Sequence, residues 1–255
     1  MWFFDYLSSS IGKKQSLGAA GALLAGFLGV HAVGNLALLN PDPAAAQAAY
    51  NAYTEFLTHT LRPLIWFAEA GLAALFLCHI GLAIRVKLEN LKAAGYNRYA
   101  VKTRLNDEGL PSRTMFVTGA LVLVFLLQHL LFFKYGTHHL YRDAAGKMIR
   151  DMWLTTVQAF ADPVWMVLYI VALILLGAHL WHALPSVCRT FGLAHAKWTP
   201  FLNWTGRVAA LGVAGLFLAS ALGTCALVRT DSWQKQIKQA TAVQSVLSAE
   251  VAKCL

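Results

Sequence analysis

Charge is what this chain has least of. Only 13% of its 255 residues are Asp, Glu, Lys or Arg, where a soluble domain carries about 25%. The charges that exist fall between long apolar runs, which argues against a soluble globular domain and for a polytopic membrane protein. Cysteine motifs are missing too. Cys78, Cys188, Cys225 and Cys254 form no CxxC pair, which removes the usual zinc and iron–sulfur sites, and without CxxCH no haem is tethered by thioether bonds. There is no flavin fingerprint and no internal repeat; the one biased stretch is the Ala-rich run at 44–49. A secretory signal has its basic region first, whereas Met1 to Gln15 begins Met-Trp-Phe-Phe and ends Gly-Lys-Lys-Gln. The net charge of +9 accordingly says nothing for nucleic acid. It bears on orientation and on contact with anionic lipid or an acidic partner.

What is present is a set of five apolar segments, at roughly 17–39, 63–86, 114–134, 163–187 and 204–228, each long enough to cross about 30 Å of hydrocarbon as a helix. They predict an all-α membrane protein, a five-transmembrane-helix bundle over 1–229. Pro63 and Pro163 suit first-turn positions, and Asp162 suits an N-cap. The stretch from Arg85 to Arg113 carries seven basic residues, and none lies between the first segment and Arg62. The positive-inside rule therefore favours a cytoplasmic N-terminus. After Arg229, residues Trp233, Ile237, Ala240, Val243, Leu247 and Val251 repeat at helical spacing. They predict an amphipathic tail over 230–255, on the outer side or against the bundle. A straight helix there would hold Cys225 and Cys254 about 30 Å apart, so a disulfide between them is not expected.

Four histidines, His31, His79, His129 and His179, each stand alone inside a different apolar segment. An ionisable group at membrane depth is costly and marks function. At 1.5 Å per residue, His31 and His129 lie about 4 and 7 Å outward of their segment midpoints, and His79 and His179 each about 6 Å inward. Two levels about 12 Å apart result. Zinc would gather its ligands at one level; two pairs fit two six-coordinate haems, each between two neutral imidazoles. Gly26, Gly29, Gly34, Gly81, Gly177 and Ala178 would let a flat ring approach the helices, though small residues also serve ordinary helix packing. His182, nearer the inner interface, suits a propionate or a partner subunit. Arg113 and Lys134 are propionate partners by position. His59, His138, His139 and His195 fall in loops or at helix ends and are read as solvated.

The pieces Ser-Ser-Ile-Gly-Lys-Lys (9–14), His-Ala-Val-Gly-Asn-Leu (31–36), Phe-Leu-Cys-His-Ile-Gly-Leu (76–82), the isolated His129, and His-Leu-Trp-His-Ala-Leu-Pro-Ser-Val-Cys-Arg-Thr-Phe-Gly (179–192) resemble the cytochrome b membrane anchor of succinate:quinone oxidoreductases. The form resembled is the single-anchor, two-haem one of succinate dehydrogenase and fumarate reductase. The likeness covers about residues 5–228; Ala183 stands where that family usually has Gly. It implies two non-covalent haems b, a proximal one on His79/His179 and a distal one on His31/His129. It also implies a flavoprotein and an iron–sulfur subunit as partners, docking on basic residues such as Arg98, Lys102 and Arg104. A membrane quinone, usually menaquinone, would be the electron partner, in a bacterial inner (cytoplasmic) membrane. Quinone chemistry needs a proton-exchanging group. Glu69 is the one carboxylate well inside an apolar segment, and Glu55 roughly matches an acidic quinone-site position of the family. Two other readings stand beside this one: a di-haem anchor of a formate dehydrogenase or hydrogenase, and a proton-coupled transporter with histidine relays.

Overall fold

The computed structural model describes residues 2–94 and 110–254, without the side chains of residues 3, 94, 110–113, 245 and 248–254. The basic positions Arg98, Lys102 and Arg104 lie outside the described residues, as do the side chains of Arg113 and Cys254.

Five helices are long and apolar enough to cross a membrane. After a short α1 (Trp2–Ser8) they are α2 (Ser10–Gly34), which tightens into a 3-10 turn at Asn35–Leu39, α4 (Arg62–Ala94), α5 (Leu110–His129), which widens into a π-helical turn at Leu130–Lys134, α7 (Pro163–Thr190) and α8 (Thr199–Val228). Several run past the apolar stretch into charged residues, because hydropathy marks the hydrocarbon while capping marks the helix end. Ser9 Oγ accepts from Gly12 N at 3.0 Å, which starts α2 ahead of Lys13 and Lys14. Asp162 Oδ1 accepts from Val164 N at 2.8 Å and starts α7.

Shorter elements fill the connections, and a tail helix follows the last long one. The Ala-rich run is α3 (Pro43–Glu55), begun by an Asp42 N-cap and Pro43 and extended by alanine's helix propensity. A π-helical turn follows at Phe56–Thr60. Strands β1 (Leu140–Arg142) and β2 (Met148–Arg150) pair antiparallel, and their turn is held by Asp143 Oδ1, which accepts from Ala145 N and Lys147 N at 2.9 and 2.8 Å. Gly146 supplies the positive φ of +79° that this turn requires. Then come α6 (Met152–Ala161) and the tail helix α9 (Asp231–Cys254).

The chain divides into two compact units. The first comprises Met1–Gly29, Phe67–Ala120 and Leu175–Val213; the second comprises Val30–Trp66, Leu121–Ile174 and Ala214–Leu255. In the first, buried Lys13 pairs with Glu89 at 2.5 Å. There α7 and α8 meet closely: a Cβ on Gly206 would stand 3.0 Å from Pro185 Cδ, so α8 needs glycine there.

The second unit holds a dense core of Leu38, Ala46, Tyr50, Trp153, Leu154, Val157, Val228 and Trp233. Trp153 and Trp233, both fully buried, have ring centroids 5.4 Å apart. Each such side chain removes about 150–250 Å² from water, worth about 4–6 kcal/mol at about 25 cal/mol per Å² as an upper bound. A polar hub joins α3, α6 and α9. Asp151, fully buried, accepts from Gln47 Nε2 at 2.7 Å, Asn51 Nδ2 at 2.8 Å and Leu154 N at 2.9 Å. Asn51 Oδ1 in turn accepts from Trp153 N at 2.9 Å, and Gln47 Oε1 from Gln236 Nε2 of α9 at 2.7 Å. Burial pushes the Asp151 carboxyl up from its ordinary value, opposed by these hydrogen bonds. The tail helix is further tied down by Trp233 Nε1, which donates to Pro41 O at 3.2 Å, and by Gln244, which bonds both the N–H and the carbonyl of Leu140 at 2.7 Å.

The long helices are packed quite differently. The apolar window of α4 is 0% buried and that of α5 6%, whereas seven of the ten residues of α6 are buried. Within each unit the membrane-length segments seldom bring their backbones within 8 Å of one another.

Candidate functional site: two histidine pairs

Each unit contains one pair of the intramembrane histidines. In the second unit, His31 near the C-terminal end of α2 and His129 at the end of α5 have ring centroids 6.1 Å apart, with planes at 84°. Phe217 packs on His31 at 5.6 Å, and Phe133 and Phe125 on His129 at 5.0 and 5.8 Å. His129 Nδ1 lies 2.9 Å from the Tyr169 hydroxyl. The carbonyl of His31 accepts from Asn35 Nδ2 at 2.9 Å, and Asn35 Oδ1 accepts from the Tyr50 hydroxyl at 3.1 Å. Burial pushes that phenol up to about 12, so Tyr50 stays a neutral donor. Through it, α3 anchors the end of α2 where the helix tightens.

In the first unit, His79 of α4 and His179 of α7 stand within electrostatic reach of each other. Each ring backs onto a glycine of another helix. A Cβ on Gly21 would lie 3.1 Å from His79 Cε1, and a Cβ on Gly119 would lie 3.1 Å from His179 Cε1. His179 Nδ1 is 3.3 Å from Thr118 Oγ1, and that hydroxyl already donates to Met115 O at 3.0 Å. Its proton is committed, so it accepts from His179 Nδ1–H. His179 is thereby held in the tautomer whose Nε2 carries a lone pair. His79 Nδ1 is buried with no side-chain hydrogen-bond partner, and the Leu17 backbone lies beside the ring.

This arrangement fits haem. Two imidazoles on opposite sides of one metal ion, with metal–nitrogen bonds of about 2 Å, put ring centroids about 6 Å apart. The separation of 6.1 Å at His31/His129 meets that demand. Among the described residues no three or more His, Cys, Asp or Glu gather as a metal-binding group, so a zinc site with three protein ligands is not assembled there.

No family model, no curated protein and no solved structure matches this chain. The functional reading therefore rests on these residues.

The remaining sites named from sequence fall as follows. Glu55, its side chain 16% exposed, is ion-paired with Lys147 of the hairpin at 2.5 Å and faces His59 Nε2 at 3.6 Å. Glu69 lies on an exposed face of α4. His182 is half-buried, with Arg207 and Arg189 within electrostatic reach, and Arg207 stacks over Trp181 at 5.3 Å. Lys134 stacks over Tyr135 at 5.9 Å, and its carbonyl accepts from Arg150. His138 is exposed, while His195 Nδ1 accepts from Lys197 N at 3.2 Å. Of the small residues, Gly26, Gly29 and Gly81 have open space where a Cβ would go, but Gly34 is occupied differently, its missing side chain making room for the Tyr53 ring. Cys78, Cys188 and Cys225 are free thiols.

Sequence reasoning missed Tyr169, Thr118, Gly21, Gly119 and Lys147. Only Thr118-Gly119 left a trace, a hydroxyl and a glycine side by side in an apolar run.

Proposed function

We propose that this chain is the di-haem cytochrome b membrane subunit of a succinate:quinone oxidoreductase. The observation that carries the reading is the pairing of four intramembrane histidines, one pair in each unit, with the His31 and His129 rings 6.1 Å apart, a distance compatible with sharing one iron. His79 and His179 would hold one haem b, and His31 and His129 the other. When bound, each haem iron supplies a one-electron couple. The protein's part is to hold four neutral imidazoles in place and to keep water away from them. Desolvation by packed aromatic side chains does this at His129, and the Thr118 hydroxyl fixes the tautomer at His179.

Lacking a flavin motif and a cysteine cluster, the chain would take electrons from, or give them to, an iron–sulfur subunit that is itself reduced or oxidised by a flavoprotein. By residue counting along each helix, His79 and His179 would lie towards the side of the basic 85–113 stretch and so towards those partners. Quinone reduction consumes two electrons and two protons. Glu55 is the better placed proton-exchanging group, because its carboxylate is largely enclosed and oriented by Lys147 and His59. Glu69, on an exposed face, lacks that enclosure. Menaquinone is the expected quinone.

The test is the haem content of the purified chain, by pyridine haemochrome against protein concentration. Two haems b per chain with low-spin spectra are expected. One per chain would dissolve one pair. None, from membranes replete with haem, overturns the reading and makes a histidine proton relay the better account.

A further inference from the structure

Each unit supplies one hydroxyl to the Nδ1 of one histidine. In the second unit it is Tyr169, 2.9 Å from His129; in the first it is Thr118, 3.3 Å from His179. We propose that Tyr169 and Thr118 are positioning residues that fix the tautomer of their own histidine and set the reduction potentials of the two haems independently. This inference rests on the haem reading above.

Both hydroxyls are buried beside the histidine they serve, and at His179 the Met115 backbone is a second hydrogen-bonding neighbour. Tyr169 is 6% exposed, and its ring is clamped edge-on by Phe125, Phe160 and Phe133, at 5.0, 5.2 and 6.1 Å. Its oxygen lies within hydrogen-bond reach of His129 Nδ1 and accepts from Nδ1–H in the tautomer whose Nε2 carries the lone pair. Thr118 is 9% exposed, and its donation to Met115 O leaves its oxygen only as an acceptor. That bond also polarises the hydroxyl, which makes it the stronger acceptor.

A ligand imidazole that donates from Nδ1 becomes a more basic ligand through Nε2. A more basic ligand favours the ferric state and lowers the potential. Removing the acceptor strands an N–H in an apolar site and raises it. The two acceptors sit in different units and share no residue, so each should act on one haem. The pairs also differ: His179 has a hydroxyl at its Nδ1, while His79 Nδ1 has no side-chain partner.

The experiment is potentiometric titration of the purified haem-loaded chain, with EPR of the low-spin ferric signals, for Tyr169→Phe, Thr118→Val and Thr118→Ser. Tyr169→Phe should raise one potential and leave the other where it was. Thr118→Val should raise the other one, and Thr118→Ser, which restores a hydroxyl, should return it to the wild-type value. Two unmoved potentials in both variants, or both potentials moving together in either, overturn the inference. Should Tyr169→Phe fail to retain haem, the Thr118 pair decides by itself. A wild-type chain without haem sinks the parent reading before any variant is compared, so the two failures are distinguishable.

Discussion

Replacing Gly119 probes the candidate haem site with the least chemistry. A Cβ at that position would sit 3.1 Å from His179 Cε1 and 3.5 Å from Nδ1, a few tenths of an ångström inside ordinary van der Waals contact. Gly119→Ala therefore asks His179 to yield by about 0.3–0.5 Å, which a ring on two rotatable bonds can give. Metal–ligand distances tolerate about 0.2 Å, so the alanine variant should keep two haems while one low-spin signal shifts. Gly119→Leu adds three more carbons. At about 1.5 Å per bond, a rotamer pointed at the ring drives His179 away by over about 1 Å. Overpacking of this kind costs about 1–3 kcal/mol, too little to remove five membrane-length helices from the bilayer. It is enough to weaken haem binding roughly 5- to 150-fold, at about 1.4 kcal/mol per factor of ten. Haem content should fall from two per chain towards one, and the surviving spectrum should be that of the His31/His129 site. Gly21→Leu should do the same through His79, whose Cε1 lies 3.1 Å from the corresponding Cβ. Gly212→Ala, where a Cβ meets nothing within 4 Å, is the control. Two haems with unchanged spectra in Gly119→Leu would refute the placement of His179 as a ligand.

Three further outcomes are expected. His31→Ala and His129→Ala should each leave one haem per chain with a common residual spectrum, and His79→Ala and His179→Ala should each leave the other; any single variant that keeps both haems removes that residue from the ligand set. Glu55→Gln should slow quinone turnover with haem spectra intact while Glu69→Gln changes it little, and the reverse ranking in a quinol-oxidation assay would move the proton-exchanging group to α4. Asp151→Asn should lower local stability by about 2 kcal/mol, because Gln47 and Asn51 are held by Gln236 and Trp153 N and cannot turn to accept from the new amide; urea titration in mild detergent, followed by Trp153 and Trp233 fluorescence, should show the midpoint drop by about 1 M. The pH dependence supplies a sign to check on the same residue. Its folded value is raised above 3.8, so between those two values the folded state binds more protons than the unfolded one. The contribution of Asp151 to stability therefore declines as pH rises through that window, and Asp151→Asn should flatten the slope.

Much of the architecture is legible in the chain itself. Five apolar runs of membrane length appear as five membrane-length helices, because helix rise and hydrocarbon thickness are constants that apolar length must match. Helix ends were less legible. Ser9 begins α2 before the apolar run does, and α4 continues through Arg85, Lys87 and Lys92, since caps and propensity extend helices into water. The connecting layer was illegible as packing. Nothing local in the Ala-rich run or in Met152–Ala161 says that they meet around Asp151, a residue 104 positions from Gln47 and 100 from Asn51.

The sequence by itself determined which segments are apolar, that each of four holds a lone histidine, and how far along its helix each histidine stands, for depth follows from counting residues at a fixed rise. It could not say which way each side chain points around its helix. That depends on how every helix is rotated and spaced against its neighbours, a property of tertiary packing rather than of any window of residues. So only the tertiary structure decided that Tyr169 meets His129 across 40 positions and Thr118 meets His179 across 61. It likewise decided that Gly21 and Gly119 back two of the rings, and that Gly34 yields its space to Tyr53.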